Sequence, residues 1–211
     1  MMPFVGPSFR SEGRPSFLLI GESHYIPPGS TLDTSPETWY SGVEGNLSET
    51  ERYFLSTSQI IEDSLQSRFS NKAHSIWRNS FQVINQRGPA HPDFTSVAAE
   101  VAFYNFFLRP AFTGESLRVV QMDVALANQA FAFHCETLRP DAIVFLSMLA
   151  GRHFRPPESL AVPVVTVPHP GCRWWNRAAT KYGNKPGREL LADFVIGIYH
   201  GRGLNSEPRG S

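Results

Sequence analysis

The sequence predicts an α/β protein, a three-layer α/β/α domain built on a short, mostly parallel central sheet. Two observations carry this reading. Four short apolar runs, Phe17–Ile20, Val101–Tyr104, Ile143–Leu146 and Val162–Val167, are continuous rather than alternating, as strands buried on both faces are. Stretches with helical spacing lie between them, and strand–helix alternation is the pattern of a parallel sheet covered on both sides.

After the first run, residues 26–46 are rich in Pro, Gly, Ser and Thr and read as a loop. Ser48-x-x-Glu51 has the form of a capping box, with Phe54, Ile60, Ile61 and Leu65 on the helix beyond it. A second helix is expected from about Ala73, with Ile76, Trp77, Phe81 and Ile84 on one face, stopping at Gly88-Pro89. A third spans about Val119 to Leu138 and ends before Pro140; a fourth spans about Pro186 to Tyr199. A chain of 211 residues is expected to form one domain over residues 1–200, with the polar tail after Tyr199, residues 201–211 above all, disordered.

Composition narrows the function classes. The net charge is zero, which argues against a histone-like or repressor-like basic protein. No stretch approaches the roughly 18 apolar residues of a membrane helix, and the N-terminal MMPFVGPSFRSEGRPS carries Pro, Gly and charge where a signal peptide carries its apolar run. A cytoplasmic protein with no membrane partner is expected. The only cysteines, Cys135 and Cys172, are too few for a four-cysteine zinc or iron–sulfur site. The seven histidines show no H-E-x-x-H spacing, and neither a phosphate loop nor a dinucleotide fingerprint is present. No cofactor and no metal are expected. The neutral total hides an asymmetry: residues 1–63 carry nine acids against three arginines, so the rest of the chain is basic. Arg173, Arg177, Lys181, Lys185 and Arg188 fall together without an acid among them, enough for a local anion-binding face or simply a solvated one.

In a parallel sheet with right-handed crossovers, all strand C-termini share one edge, and ligands bind there near a switch in strand order. The residues just past each strand are therefore informative. The first strand ends in Gly21-Glu22-Ser23-His24-Tyr25, the second in Asn105, the third in Ser147 and the fourth in Pro168-His169-Pro170-Gly171. Ionisable and amide groups thus converge on one edge.

The order and content of these segments resemble the uracil-DNA glycosylase superfamily. That family has a first-strand motif of the form G-x-D-P-Y, or G-E-x-P-G in other branches, an Asn at the end of the second core strand, and a late H-P-S-P-like motif. The counterparts are GESHY at 21–25, Asn105 and HPGC at 169–172, and residues 138–154 are similar to the family's segment before its last strand. The resemblance covers about residues 17–195 and is closest to a bacterial branch of unknown substrate. It implies a uracil-DNA glycosylase-like fold and hydrolysis of the N-glycosidic bond of uracil or another deaminated base in DNA, without metal, by a monomer. Glu22 would orient the water or stabilise the cationic sugar, and His169 would stabilise the departing base. Gly21, Ser23, Tyr25 and Asn105 would hold the base, and Arg173, Trp174, Trp175, Arg177 and Lys181 would contact DNA, single- or double-stranded.

The motif departs from the family at Ser23, where the G-x-D-P-Y branch has an Asp, so water activation would lean on Glu22. Two other classes are open. The same pocket could bind a nucleobase or nucleic acid without cleaving it. Alternatively, FLLIGESHY also resembles the opening of SGNH-type serine hydrolases, with Ser23 as nucleophile and His169 or His200 as base, although Asp193 and His200 lack that family's D-x-x-H spacing and no G-x-N-D segment occurs.

Overall fold

The computed structural model describes residues 2–42, 47–71, 74–88 and 91–201. The chain is a mixed α/β fold whose mostly parallel sheet is flanked by helices on both faces. Its strands are β1 (Phe4–Val5), β2 (Phe17–Gly21), β4 (Val101–Asn105), β6 (Ala142–Phe145) and β7 (Val164–Thr166), in the order β1-β4-β2-β6-β7. All neighbours are parallel except β1, which runs antiparallel along the β4 edge. A separate two-stranded parallel sheet joins β3 (Tyr25–Ile26) to β5 (Ala111–Phe112).

The four apolar runs are the four parallel strands, displaced by a residue or two at their ends. Alternate side chains divide the core into two layers, as the pleat requires. Phe17, Leu19, Val101, Phe103, Ala142 and Val144 pack on the side of α4 (Ser75–Arg87) and α8 (Gly187–Gly201). Leu18, Ile20, Ala102, Tyr104, Ile143 and Phe145 pack on the side of α6 (Gln121–Leu138) and α7 (Met148–His153).

Several elements differ from the sequence reading. The capping box is formed, with Ser48 and Glu51 exchanging hydrogen bonds, but the helix it opens ends at Phe54. Ser56 then caps a second helix through the amide of Gln59, giving α2 (Glu49–Phe54) and α3 (Thr57–Gln66). The expected loop contains α1 (Pro36–Tyr40), started by a proline at its first turn, where the ring costs no hydrogen bond. Asp93 caps a further short helix, α5 (Phe94–Ala99). Helix α4 begins at Ser75; Ala73 and Pro89 of the expected boundaries lie outside the described residues. His200 and Gly201, expected in the tail, belong to α8, and residues 202–211 lie outside the described residues. Among the described residues no helix is long and apolar enough to cross a membrane.

The order β4-β2-β6-β7 contains one reversal. The chain moves from β2 outward to β4, then crosses back over β2 to β6 and on to β7. The switch therefore lies between β2 and β6, the place beyond the strand ends where sheets of this kind bind ligands.

Candidate functional site at the strand switch

Glu22 follows β2 and Ser147 follows β6, so the two lie on either side of this switch. The Ser147 hydroxyl donates to Glu22 Oε2 at 2.8 Å. Glu22 is half-buried and Ser147 is buried. Ser147 was legible as a strand end; its link to Glu22 was not. The signal that could have found it was a serine directly after an apolar run, a residue type that caps helices.

Asn105 ends β4 in register with Gly21 on β2. Its carboxamide lies across position 21 so closely that a Cβ there would overlap Asn105 Oδ1 and press on Phe103 Cζ. Glycine at 21 is therefore what lets the carboxamide lie over the strand end. Asn105 is half-buried and its carboxamide makes no hydrogen bond among the described residues. It retains one acceptor and two donors for a ligand.

His169 sits in the loop after β7. That loop is clamped to α4 by Asn79, which donates to the Pro170 carbonyl at 2.8 Å. The Gly171 amide donates to His169 Nδ1 at 3.0 Å. Because Nδ1 accepts, the neutral ring carries its proton on Nε2, which faces no protein acceptor among the described residues. His169 is exposed as a residue, and protein close to its ring still displaces part of its water. This desolvation lowers the His169 pKa below its ordinary value, and the nearby Glu22 charge draws it partly back up.

Tyr25 opens β3 and is 43 % exposed. Its phenol pKa is raised by burial of part of the ring and by the charge of the Glu22 carboxylate. Gly21, Glu22, Tyr25, Asn105 and His169 thus gather at the strand ends, and Ser147 joins them.

Ser23 and His24 play other parts. The Ser23 side chain is buried, 8 % exposed, and forms no hydrogen bond with a histidine among the described residues. His24 is 5 % exposed and has both ring nitrogens satisfied. Nδ1 meets the Phe54 carbonyl at 3.1 Å, and Nε2 meets Thr57 Oγ1 at 3.1 Å. A carbonyl only accepts, so Nδ1 carries the proton and Nε2 accepts from the threonine. Burial holds the ring neutral, lowering its pKa to about 4 against the pull of the Phe54 carbonyl. His24 therefore ties the GESHY turn to the α2–α3 junction. The turn is also held by its backbone: the carbonyls of Gly21, Glu22 and His24 accept from the amides of Phe106, Phe107 and Ala111.

The basic segment after His169 is only partly available. Trp175, which the resemblance set against DNA together with Trp174, is instead 3 % exposed and packs in the core, against Gly187 of α8. An indole so placed cannot wedge into a ligand. Trp174 remains half-buried, with the Arg173 guanidinium 4.2 Å from its ring centroid and Lys181 Nζ at 5.4 Å. Arg177 and Lys181 are exposed. Lys185 is paired with Asp193 of α8 at 2.6 Å, so its charge is already balanced.

A wide groove of about 1020 Å³ lies away from this edge, among Trp39, Leu55, Leu108, Leu126 and Phe133. None of Gly21, Glu22, Tyr25, Asn105, Ser147 and His169 lines it. Among the described residues no three His, Cys, Asp or Glu side chains are grouped to hold a metal. No family model matches the chain, and no curated protein matches it.

Proposed function

We propose that the protein hydrolyses the bond between a base and its sugar in DNA, acting on uracil or another deaminated base as a uracil-DNA glycosylase-like enzyme. The observation that carries this reading is the set of polar groups just past the parallel strands that keep an atom without a protein partner among the described residues: one carboxylate oxygen of Glu22, the carboxamide of Asn105 and the Nε2–H of His169. An N-glycosidic bond breaks with positive charge growing on the sugar and negative charge on the base, so a catalyst needs groups of both kinds.

Asn105 reads the edge of the flipped base with its carboxamide. Tyr25 flanks it. As the bond breaks, its electron pair passes to the base nitrogen, and His169 Nε2–H donates to the anion that forms. The neutral ring suffices, because it supplies the donor without holding a charge of its own. Glu22 faces the cationic sugar and takes up a proton from the water that adds to it. Trp174 with Arg173, Arg177 and Lys181 forms an aromatic and cationic surface next to the His169 loop, suited to phosphates and an unstacked base.

The serine hydrolase reading has less support. Ser23 is buried without a base, and Tyr199, next to His200, packs against Phe17 at the opposite end of β2. Oligonucleotides carrying uracil, hypoxanthine or xanthine, single- and double-stranded at low salt, test the proposal through alkaline cleavage at abasic sites. The expected result is cleavage of at least one substrate, lost in Glu22→Gln and His169→Ala proteins that remain folded. Ligand-induced thermal stabilisation with no released base would instead identify a binding module.

A further inference from the structure

We infer that Ser147 is a positioning residue for Glu22, and that the first turn of α7 is what aims it. The inference rests on the glycosidase reading for its catalytic consequence, but not for its geometry.

A serine hydroxyl has one proton and two lone pairs. Ser147 is the N-cap of α7, and its Oγ accepts from the amides of Leu149 and Ala150 at 3.2 and 3.3 Å. With both lone pairs engaged, the single proton has one direction left, toward Glu22 Oε2. An ionised carboxylate only accepts, so donor and acceptor roles in this chain are fixed: helix amides to hydroxyl, hydroxyl to carboxylate. Ser147 is 2 % exposed, so water does not compete for the hydroxyl. The backbone on both sides is pinned as well, since the Leu146 amide donates to the Ile20 carbonyl at 2.7 Å and the Phe107 amide to the Glu22 carbonyl at 2.9 Å.

The consequence is a carboxylate with one oxygen tied and one open. Glu22 Oε1 makes no hydrogen bond among the described residues, and it is the oxygen left to meet water or the sugar. Without the Ser147 hydroxyl, the last torsion of Glu22 is unrestrained, and the carboxylate spreads over orientations of which few are productive. The maximal rate should then fall with little change in substrate affinity.

Three variants separate this role from helix capping. Ser147→Thr keeps both the cap and the hydroxyl. Ser147→Gly keeps a residue well tolerated at an N-cap but removes the hydroxyl, and Ser147→Ala removes both. In crystal structures, Glu22 should occupy a single orientation in the wild type and in Ser147→Thr, and be displaced or multiply oriented in Ser147→Gly and Ser147→Ala. On a cleavable oligonucleotide, kcat should fall about 10- to 100-fold in the Gly and Ala proteins with KM nearly unchanged, and Thr should restore it. A Glu22 carboxylate that keeps its wild-type orientation in both the Gly and Ala proteins overturns the inference, as does an unchanged kcat in the Gly protein. If no oligonucleotide is cleaved by the wild type while Glu22 loses its order in the variants, the glycosidase reading falls and the positioning role stands.

Discussion

Around Arg109, Asp123 and Tyr40 the polar groups are occupied by one another, whereas around Glu22, Asn105 and His169 they are held open. Both clusters contain a carboxylate and partners able to donate to it. At the first, Arg109 makes bonds to both Asp123 oxygens at 2.8 and 2.6 Å and to the carbonyls of Thr34 and Arg118. Asp123 also accepts from the Tyr40 hydroxyl and the Val120 amide. Burial pushes the Asp123 carboxyl up, but these donors outweigh it and its pKa lies below the ordinary value. At the second, Asn105 has no partner among the described residues, His169 presents a free Nε2–H and Glu22 has one untied oxygen. The difference teaches what each cluster is for. A closed network fastens the chain, here the segment carrying α1 onto α6. Open groups on a rigid frame are complementary to something not of the chain.

The largest effect expected from breaking the closed network is on stability. Arg109→Ala leaves the Asp123 carboxylate, 0 % exposed, without its cation, and should cost about 3–5 kcal/mol in denaturant unfolding. Base release per folded molecule should be unaffected. Activity that disappears while the protein is still folded would mean the two clusters are not separate.

A smaller effect comes from pH. His24 titrates near 6.5 when unfolded and about 4 when folded, so the native state excludes a proton that the unfolded chain binds. Its stabilising contribution is complete above pH 6.5 and is lost as pH falls from there toward 4, amounting to about 2 kcal/mol by pH 5. His74, His91, His134 and His169 are lowered in the same direction by burial, and add to the slope. Unfolding midpoints measured at pH 7 and 5 should therefore fall with acid, and the fall should be smaller in His24→Gln, although that protein starts less stable. An equal slope in both would show that His24 is not the buried neutral ring described here.

The smallest stability effect and the sharpest local one belong to Gly21→Ala. The new Cβ would drive the Asn105 carboxamide off the strand end. The overlap is partly offset by the stiffer unfolded chain, so unfolding should shift by only about 1 kcal/mol. Base binding, measured by calorimetry, should fall as far as it does in Asn105→Ala. Retained affinity would mean that Asn105 does not read the ligand.

How much of this was legible in the sequence depends on how local the cause is. The four parallel strands are written as continuous apolar runs, and the positions after them fixed where Glu22, Asn105, Ser147 and His169 would gather. The two-residue strands β1, β3 and β5 carry no pattern of their own; their partners define them. The break between α2 and α3 came from Ser56 taking the cap position inside an otherwise continuous helical pattern. The Trp174-Trp175 pair could not be divided into surface and core without knowing that Gly187 packs on one of them. The roles of Ser147 and His24 depend on partners distant in sequence, Glu22 for the first and Phe54 and Thr57 for the second.

The distinction between open and closed clusters is tested most directly by nitrogen-detected NMR of the wild-type protein titrated with free uracil and hypoxanthine. The Asn105 side-chain amide and the His169 ring nitrogens should shift with a saturating dependence on at least one base, while Arg109 Nε and Trp39 Nε1, which donates to the Leu108 carbonyl, stay in place. Asn105 and His169 signals unmoved by either base, or Arg109 shifting as far as they do, would contradict the account.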